Sequence, residues 1–407
     1  MIPVSWNSHA LLTASALENY ASASLLQPVP VVGLEEFLSR AQASVAALLG
    51  DHVPRVAVKI DKPGQPREWH GTILKPADFV RAVRLNPEIV LQYVRLRRPE
   101  EVDAKAPHDT SREGPPGPMY VPVGEDEHLQ PLEIIVTYSD EPDWGMDQDL
   151  FTVEEYQYGS CPYGAVSGKS SQAPFHMAFL NESPVLTALL PRLRVSFMEE
   201  RIRIFVGLAK CAFQADVGYW GCRFLAWALH YLQDLTQPYH ASPFPVPLLP
   251  LVKRFMRRPR WKGFLESNKH YLKNRHLLFE ALVHFLLNDA VKKCQRHAFL
   301  DALRGAGHAA TGTLRGVMRR SSHMVSSMAR KTDRCLADLV QAEKLLDPDY
   351  ILEHDEDFCP DVLVSAAARL RPGAHDRFVD AVSACLAETG KVTRYVLDTH
   401  FQSVVLR

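Results

Sequence analysis

The sequence predicts a mainly α fold, and three observations carry that prediction. Apolar residues recur every three to four positions through most of the chain from Pro184 onward. Only one short stretch alternates apolar and polar residues as a strand does. The composition, 46% hydrophobic and 23% charged over 407 residues, is that of an ordinary globular chain able to bury one large core.

In chain order, "SHALLTASALENYASASLL" places Leu11, Leu12, Ala16 and Leu17 on one side of a helix, with Ser8 positioned to cap it. "GLEEFLSRAQASVAALLG" reads as a helix terminated at Gly50. "RVAVKIDKPGQPREWHGTIL" suggests a small hairpin around Pro63-Gly64. "KPADFVRAVRLNPEIVLQYVRLRR" reads as two helical pieces broken near Asn86-Pro87. Residues 99–131 are proline-rich, acidic and without apolar periodicity, which predicts a long loop. Helical patterns then cover 184–235, 263–292, 299–346 and 361–405. No internal repeat of the solenoid kind is visible.

Several function classes are excluded or localised by composition. A formal net charge of -1 rules out wholesale attraction to polyanions, so any such contact must be a local patch. No basic n-region followed by an apolar segment opens the chain, which leads us to expect a cytoplasmic protein. The 7 cysteines are scattered, odd in number and never paired as CxxC, so free thiols are expected. "GAVSGKS" resembles a phosphate loop, but the glycine that loop needs at 163 is Tyr163. Neither a GxSxG elbow nor an HExxH motif is present.

The chemistry-bearing residues form a series. In "ALHYLQDLTQPYHAS", His230 and Asp234 stand four apart and so share a helix face, with His240 just past a Gln237-Pro238 break. The same spacing recurs at His276 and Glu280 in "KNRHLLFEALVHFLL". Buried charge is rare unless paired or bound to metal, and two such pairs plus a third histidine favour metal. Imidazoles with carboxylates suit zinc. "SDEPDWGMDQDL" offers Asp140, Asp143, Asp147 and Asp149, "APFHMAF" offers His176, and the first helix carries His9.

Taken in order, His9, an aspartate near 140, His176, His230-x3-Asp234-x5-His240 and His276-x3-Glu280 resemble the zinc-dependent phospholipase C superfamily, which also includes the fungal single-strand nucleases. "HYLQDLTQPYH" is similar to its central motif and "NSHALL" to the start of its first helix. The resemblance implies a multi-helix bundle of that type with irregular inserts and extra C-terminal helices. It implies a phosphoesterase domain over 1–290, with inserts at about 50–135 and 241–265, and a C-terminal helical extension over 291–407 packed on the same core.

It further implies two or three zinc ions. One would take His176, His230, Asp234 and an acidic-loop aspartate, Asp140 first and Asp143 second. Another would take His240, His276 and Glu280. The third would take His9 and share Asp234 as a bridge. In the family an N-terminal Trp completes that third site, whereas Trp6 is internal here, so Met1, a water or a cleavage would have to serve.

The implied reaction is phosphodiester hydrolysis by metal-activated water, with Asp140 or Asp143 as general base and no serine or cysteine nucleophile. A phospholipid is the first substrate expected and single-stranded nucleic acid the second. A third reading has the zinc structural and the protein acting by binding membranes or partners. No obligate protein partner is implied. The insert 243–262 begins apolar and continues with Lys253, Arg254, Arg257, Arg258, Arg260 and Lys262 around Phe255 and Trp261. Such a stretch could rest on an anionic membrane, or track a nucleic-acid backbone with Trp261 or Phe255 stacking bases. The basic run 315–334 reads as a solvated helix face, with Met318, Met324 and Met328 directed to the core.

Overall fold

The computed structural model describes residues 9–20, 27–50, 93–96, 120–144, 175–243, 261–305, 310–340 and 350–401, isolated positions within these ranges excepted. The sequence-predicted hairpin at 55–74, Asp147, Asp149, the "GAVSGKS" stretch and the basic insert up to Arg260 lie outside them. The described chain is mainly helical. Among its residues no helix is long and apolar enough to cross a membrane, and the six described cysteines are free.

The first elements are α1 (His9–Leu17), β1 (Val29–Pro30), α2 (Leu34–Arg40), α3 (Gln42–Gly50), β2 (Val94–Leu96), β3 (Tyr120–Pro122), β4 (His128–Leu129) and α4 (Pro131–Tyr138). A 3-10 turn follows over Glu141–Trp144. Then come α5 (Pro184–Leu189), α6 (Met198–Gln214), α7 (Gly218–Asp234), α8 (Pro238–Ala241), α9 (Trp261–Lys292), α10 (Ala298–Arg304), α11 (Leu314–Val340), α12 (Pro360–Leu370) and α13 (Pro372–Val396).

The chain forms two compact units. The first comprises Met1–Asn19, Met177–Val195 and Gln233–Thr393. Its core is built by Leu12 and Ala16 of α1, the apolar face of α9 (Leu278, Leu282, Val283, Leu287), Leu336 and Leu339 of α11, and Phe378 and Val382 of α13. Burying each of the leucine, valine and phenylalanine side chains among these is worth about 1.5–3 kcal/mol. The face of α11 opposite that core carries Arg319, Arg330 and Arg334, all exposed. Met318 is buried as the sequence predicts, but Met324 is 45% exposed, because it falls on the solvent side of the helix.

The second unit comprises Tyr20–His176, Ser196–Leu232 and Arg394–Arg407. It packs Trp220, Phe224 and Trp227 of α7 against Phe37 of α2 and Phe205 of α6. Two small antiparallel ladders depart from the sequence reading. Val94–Leu96, expected to be helical, pairs with Tyr120–Pro122, and Val29–Pro30 pairs with His128–Leu129, inside the stretch expected to be a loop. The backbone N–H groups of Val94 and Leu96 donate to Tyr138 Oη and Thr137 Oγ1 on α4, so partners distant in sequence override local helical periodicity.

Candidate metal centre

Helix α7 supplies His230 to the second unit and Asp234, one turn on, to the first. Its sequence, "GYWGCRFLAWALHYLQD", is apolar nearly all round, so its helix buries on every side and the polar groups of its last turn are sealed from water. Gln237 then caps α8, its Oε1 accepting from Tyr239 and His240 N–H, and Pro238 takes the first helical position. This short helix returns His240 toward Asp234.

In the second unit, Asp143, His176 and His230 converge. His176 Nδ1 lies 3.0 Å from His230 Nε2, and Asp143 Oδ1 lies 3.8 Å and 3.6 Å from those atoms. His230 Nδ1 donates to the Ser139 carbonyl at 2.8 Å, which leaves the Nε2 lone pair facing His176 and Asp143. The turn carrying Asp143 is held by its neighbour. Glu141 takes a buried two-pronged ion pair from Arg223 and a 2.6 Å hydrogen bond from Trp227 Nε1, both residues of α7. Of the two aspartates weighed from the sequence, the second choice, Asp143, is thus the one brought to the imidazoles. Asp140 Oδ2 instead accepts from Tyr120 Oη at 3.2 Å, and burial together with that carboxylate pushes the Tyr120 phenol well above its ordinary value.

In the first unit, His240 Nε2 lies 3.0 Å from His276 Nε2, and Glu280 Oε1 lies 2.7 Å from His276 Nε2 and 3.5 Å from His240 Nε2. Gln237 Nε2 donates to Glu280 at 3.1 Å. Asp234 Oδ1 sits 2.9 Å from His240 Nδ1 and 3.7 Å from His9 Nε2. His9 Nδ1 donates to Gln233 Oε1 at 2.9 Å, directing its Nε2 lone pair to Asp234. Burial pushes the His240 imidazolium down, but Asp234 and Glu280 outweigh it and hold its pKa at about 9. Conversely, burial pushes Glu280 up, and His276 and His240 bring it to about 2.

These arrangements fit a cation. Ligands bound tetrahedrally at about 2.0–2.1 Å from zinc stand about 3.3 Å apart, and the separations in both groups scatter around that value. Two facing imidazole nitrogens 3.0 Å apart can share only one proton, whereas one cation satisfies both lone pairs. His240 Nδ1, buried and 2.9 Å from Asp234, nevertheless makes no aligned hydrogen bond among the described residues. Clusters of buried histidines and carboxylates at metal-binding distance are therefore present in both units.

Sequence reasoning missed the residues that orient these ligands: Ser139, Glu141, Arg223, Gln233 and Gln237. Only Gln237 carried a local signal, through its place before Pro238. His284 of α9 is half-buried, and burial lowers its pKa. No protein-family model, curated protein or solved structure matches the chain.

Proposed function

We propose that the chain is a zinc-dependent hydrolase of phosphodiester bonds, of the phospholipase C and single-strand nuclease type, with a phospholipid as its first substrate class. The observation that carries this reading is the buried convergence of His240, His276 and Glu280 in one unit and of Asp143, His176 and His230 in the other. Both sets combine two imidazoles with one carboxylate, the donor set zinc prefers. Bound there, zinc would neutralise phosphate oxygens and bring the pKa of water toward 7.

The chain's own groups would do the rest. Asp143, His176 and His230 would hold one cation and His240, His276 and Glu280 another, and the Ser139 carbonyl and Gln237 fix the orientation of His230 and Glu280. Asp234 sets the position of His240 and His9. Asp143, whose Oδ1 faces both imidazoles, would also orient the attacking water and accept its proton. The apolar wall of α7 excludes bulk water and strengthens each electrostatic contact.

The test is hydrolysis of phospholipid vesicles and of single-stranded DNA, side by side, by zinc-loaded full-length chain and by Asp143→Asn. Release of lipid products by the wild type alone supports the proposal. Nucleotide release in its place moves the substrate to the alternative class. Retained zinc without turnover of either contradicts hydrolysis and leaves zinc a structural role.

A further inference from the structure

We infer that Asp333, on helix α11, is a positioning residue for the His240–His276–Glu280 group, an inference that rests on the metal-binding reading of that group. Asp333 is fully buried, and one oxygen serves two donors. Its Oδ1 accepts from Tyr239 Oη at 2.7 Å and from Arg275 Nε at 2.6 Å. Arg275 Nη2 also donates to the Asp333 carbonyl at 3.0 Å, so the guanidinium grips both the side chain and the backbone of α11.

The two donors have telling places in the chain. Tyr239 immediately precedes His240, and Arg275 immediately precedes His276. One carboxylate therefore fixes both backbone segments that present the facing imidazoles, although those segments are 36 residues apart. The tie continues through the rings. Tyr239 lies parallel to His276, with an interplanar angle of 4° and centroids 5.6 Å apart, so holding its hydroxyl also limits tilt of the imidazole.

Packing explains why this carboxylate is rigid. The neighbouring turns of α11 bury Ala329, Leu336 and Leu339, and α11 packs on α8, the short helix that carries His240. Arg275 compensates the buried charge, which would otherwise be costly. A helix beyond the predicted phosphoesterase segment thus acts on the geometry of two ligands without contributing one. Displacement of metal-ligand nitrogens by a fraction of an ångström weakens affinity steeply, and outer partners of this kind typically contribute about 10–100-fold.

The experiment uses full-length chain and cobalt(II) as the probe, with affinity read by chelator competition and by the d–d spectrum. Asp333→Asn keeps the shape and an acceptor oxygen but removes the charge. Tyr239→Phe keeps the ring and the Arg275 pair and removes only the hydroxyl, so it decides the matter should Asp333→Asn fail to fold. His276→Ala and His230→Ala identify which class of bound cobalt belongs to which unit.

Both positioning variants are expected to weaken the class abolished by His276→Ala, about 10–100-fold for Asp333→Asn and less for Tyr239→Phe, and to leave the His230 class unchanged. Unchanged affinity in both classes, or an equal loss in both, overturns the inference, the second because it marks a fold-wide effect. A wild-type chain that takes up no cobalt removes the metal reading itself, and the inference with it.

Discussion

Asp234→Asn removes one buried charge while preserving side-chain shape, and its effect can be worked from the structure. Asp234 is 1% exposed, with Oδ1 2.9 Å from His240 Nδ1. In metal-free protein, burial alone would depress the His240 pKa, but Asp234 and then Glu280 raise it from 6.5 to about 9. A pKa raised on folding contributes stability that is fully present below pH 6.5 and is lost as pH climbs through 9. At about 1.4 kcal/mol per pH unit, that rise amounts to about 3 kcal/mol.

Without the Asp234 charge only Glu280 is left to oppose burial, so the His240 pKa falls and most of the contribution is lost. Urea unfolding of both proteins, in chelator at about pH 6 and about pH 10, reads it directly. The deficit of the variant should be larger at the lower pH, where the wild-type imidazole is charged, by up to about 3 kcal/mol. Groups common to both proteins cancel in that difference. An equal deficit at both values would refute the claim that Asp234 holds a proton on His240.

The same proton must leave when metal binds, because ligation needs a neutral imidazole. Zinc added to weakly buffered apoprotein near pH 7 should release a proton from this group, and apparent affinity should rise about tenfold per pH unit up to about pH 9. A pH-independent affinity would contradict it. Glu141→Gln leaves the Arg223 guanidinium buried with its carboxylate gone, and should cost about 3–5 kcal/mol in urea unfolding. A Cβ added at Gly221 would meet three atoms of the Phe213 ring at 2.4–2.6 Å. That ring is packed edge-on against Phe401. Gly221→Ala should therefore destabilise by about 1–3 kcal/mol despite the better helix former, and a higher unfolding midpoint would show that the ring yields freely.

The long helices were legible because their burial follows a local period. α7, α11 and α13 lie within stretches whose apolar spacing marked them as helical, and α9 starts only slightly ahead of its own, at Trp261. The His-x3-carboxylate pairs were legible for the same reason, since a helix puts residues four apart on one face. The ladders were not, because strands of two or three residues are too short to show alternation and their partners lie distant in sequence. Choosing between Asp140 and Asp143 required knowing that Glu141 is drawn to Arg223 and Trp227, a tertiary contact spanning 82 and 86 residues. Asp333 left no sequence trace, since an aspartate among the basic residues of an amphipathic helix looks like part of the solvated face.

The most direct test of the account is zinc content per chain, by elemental analysis of full-length protein purified without chelator or affinity-tag metal. The two convergent groups predict at least two zinc ions in the wild type, and one fewer in each of His230→Ala and His276→Ala. A wild-type chain that carries no zinc, and gains none when zinc is supplied, would contradict it and leave these side chains as buried polar pairs alone.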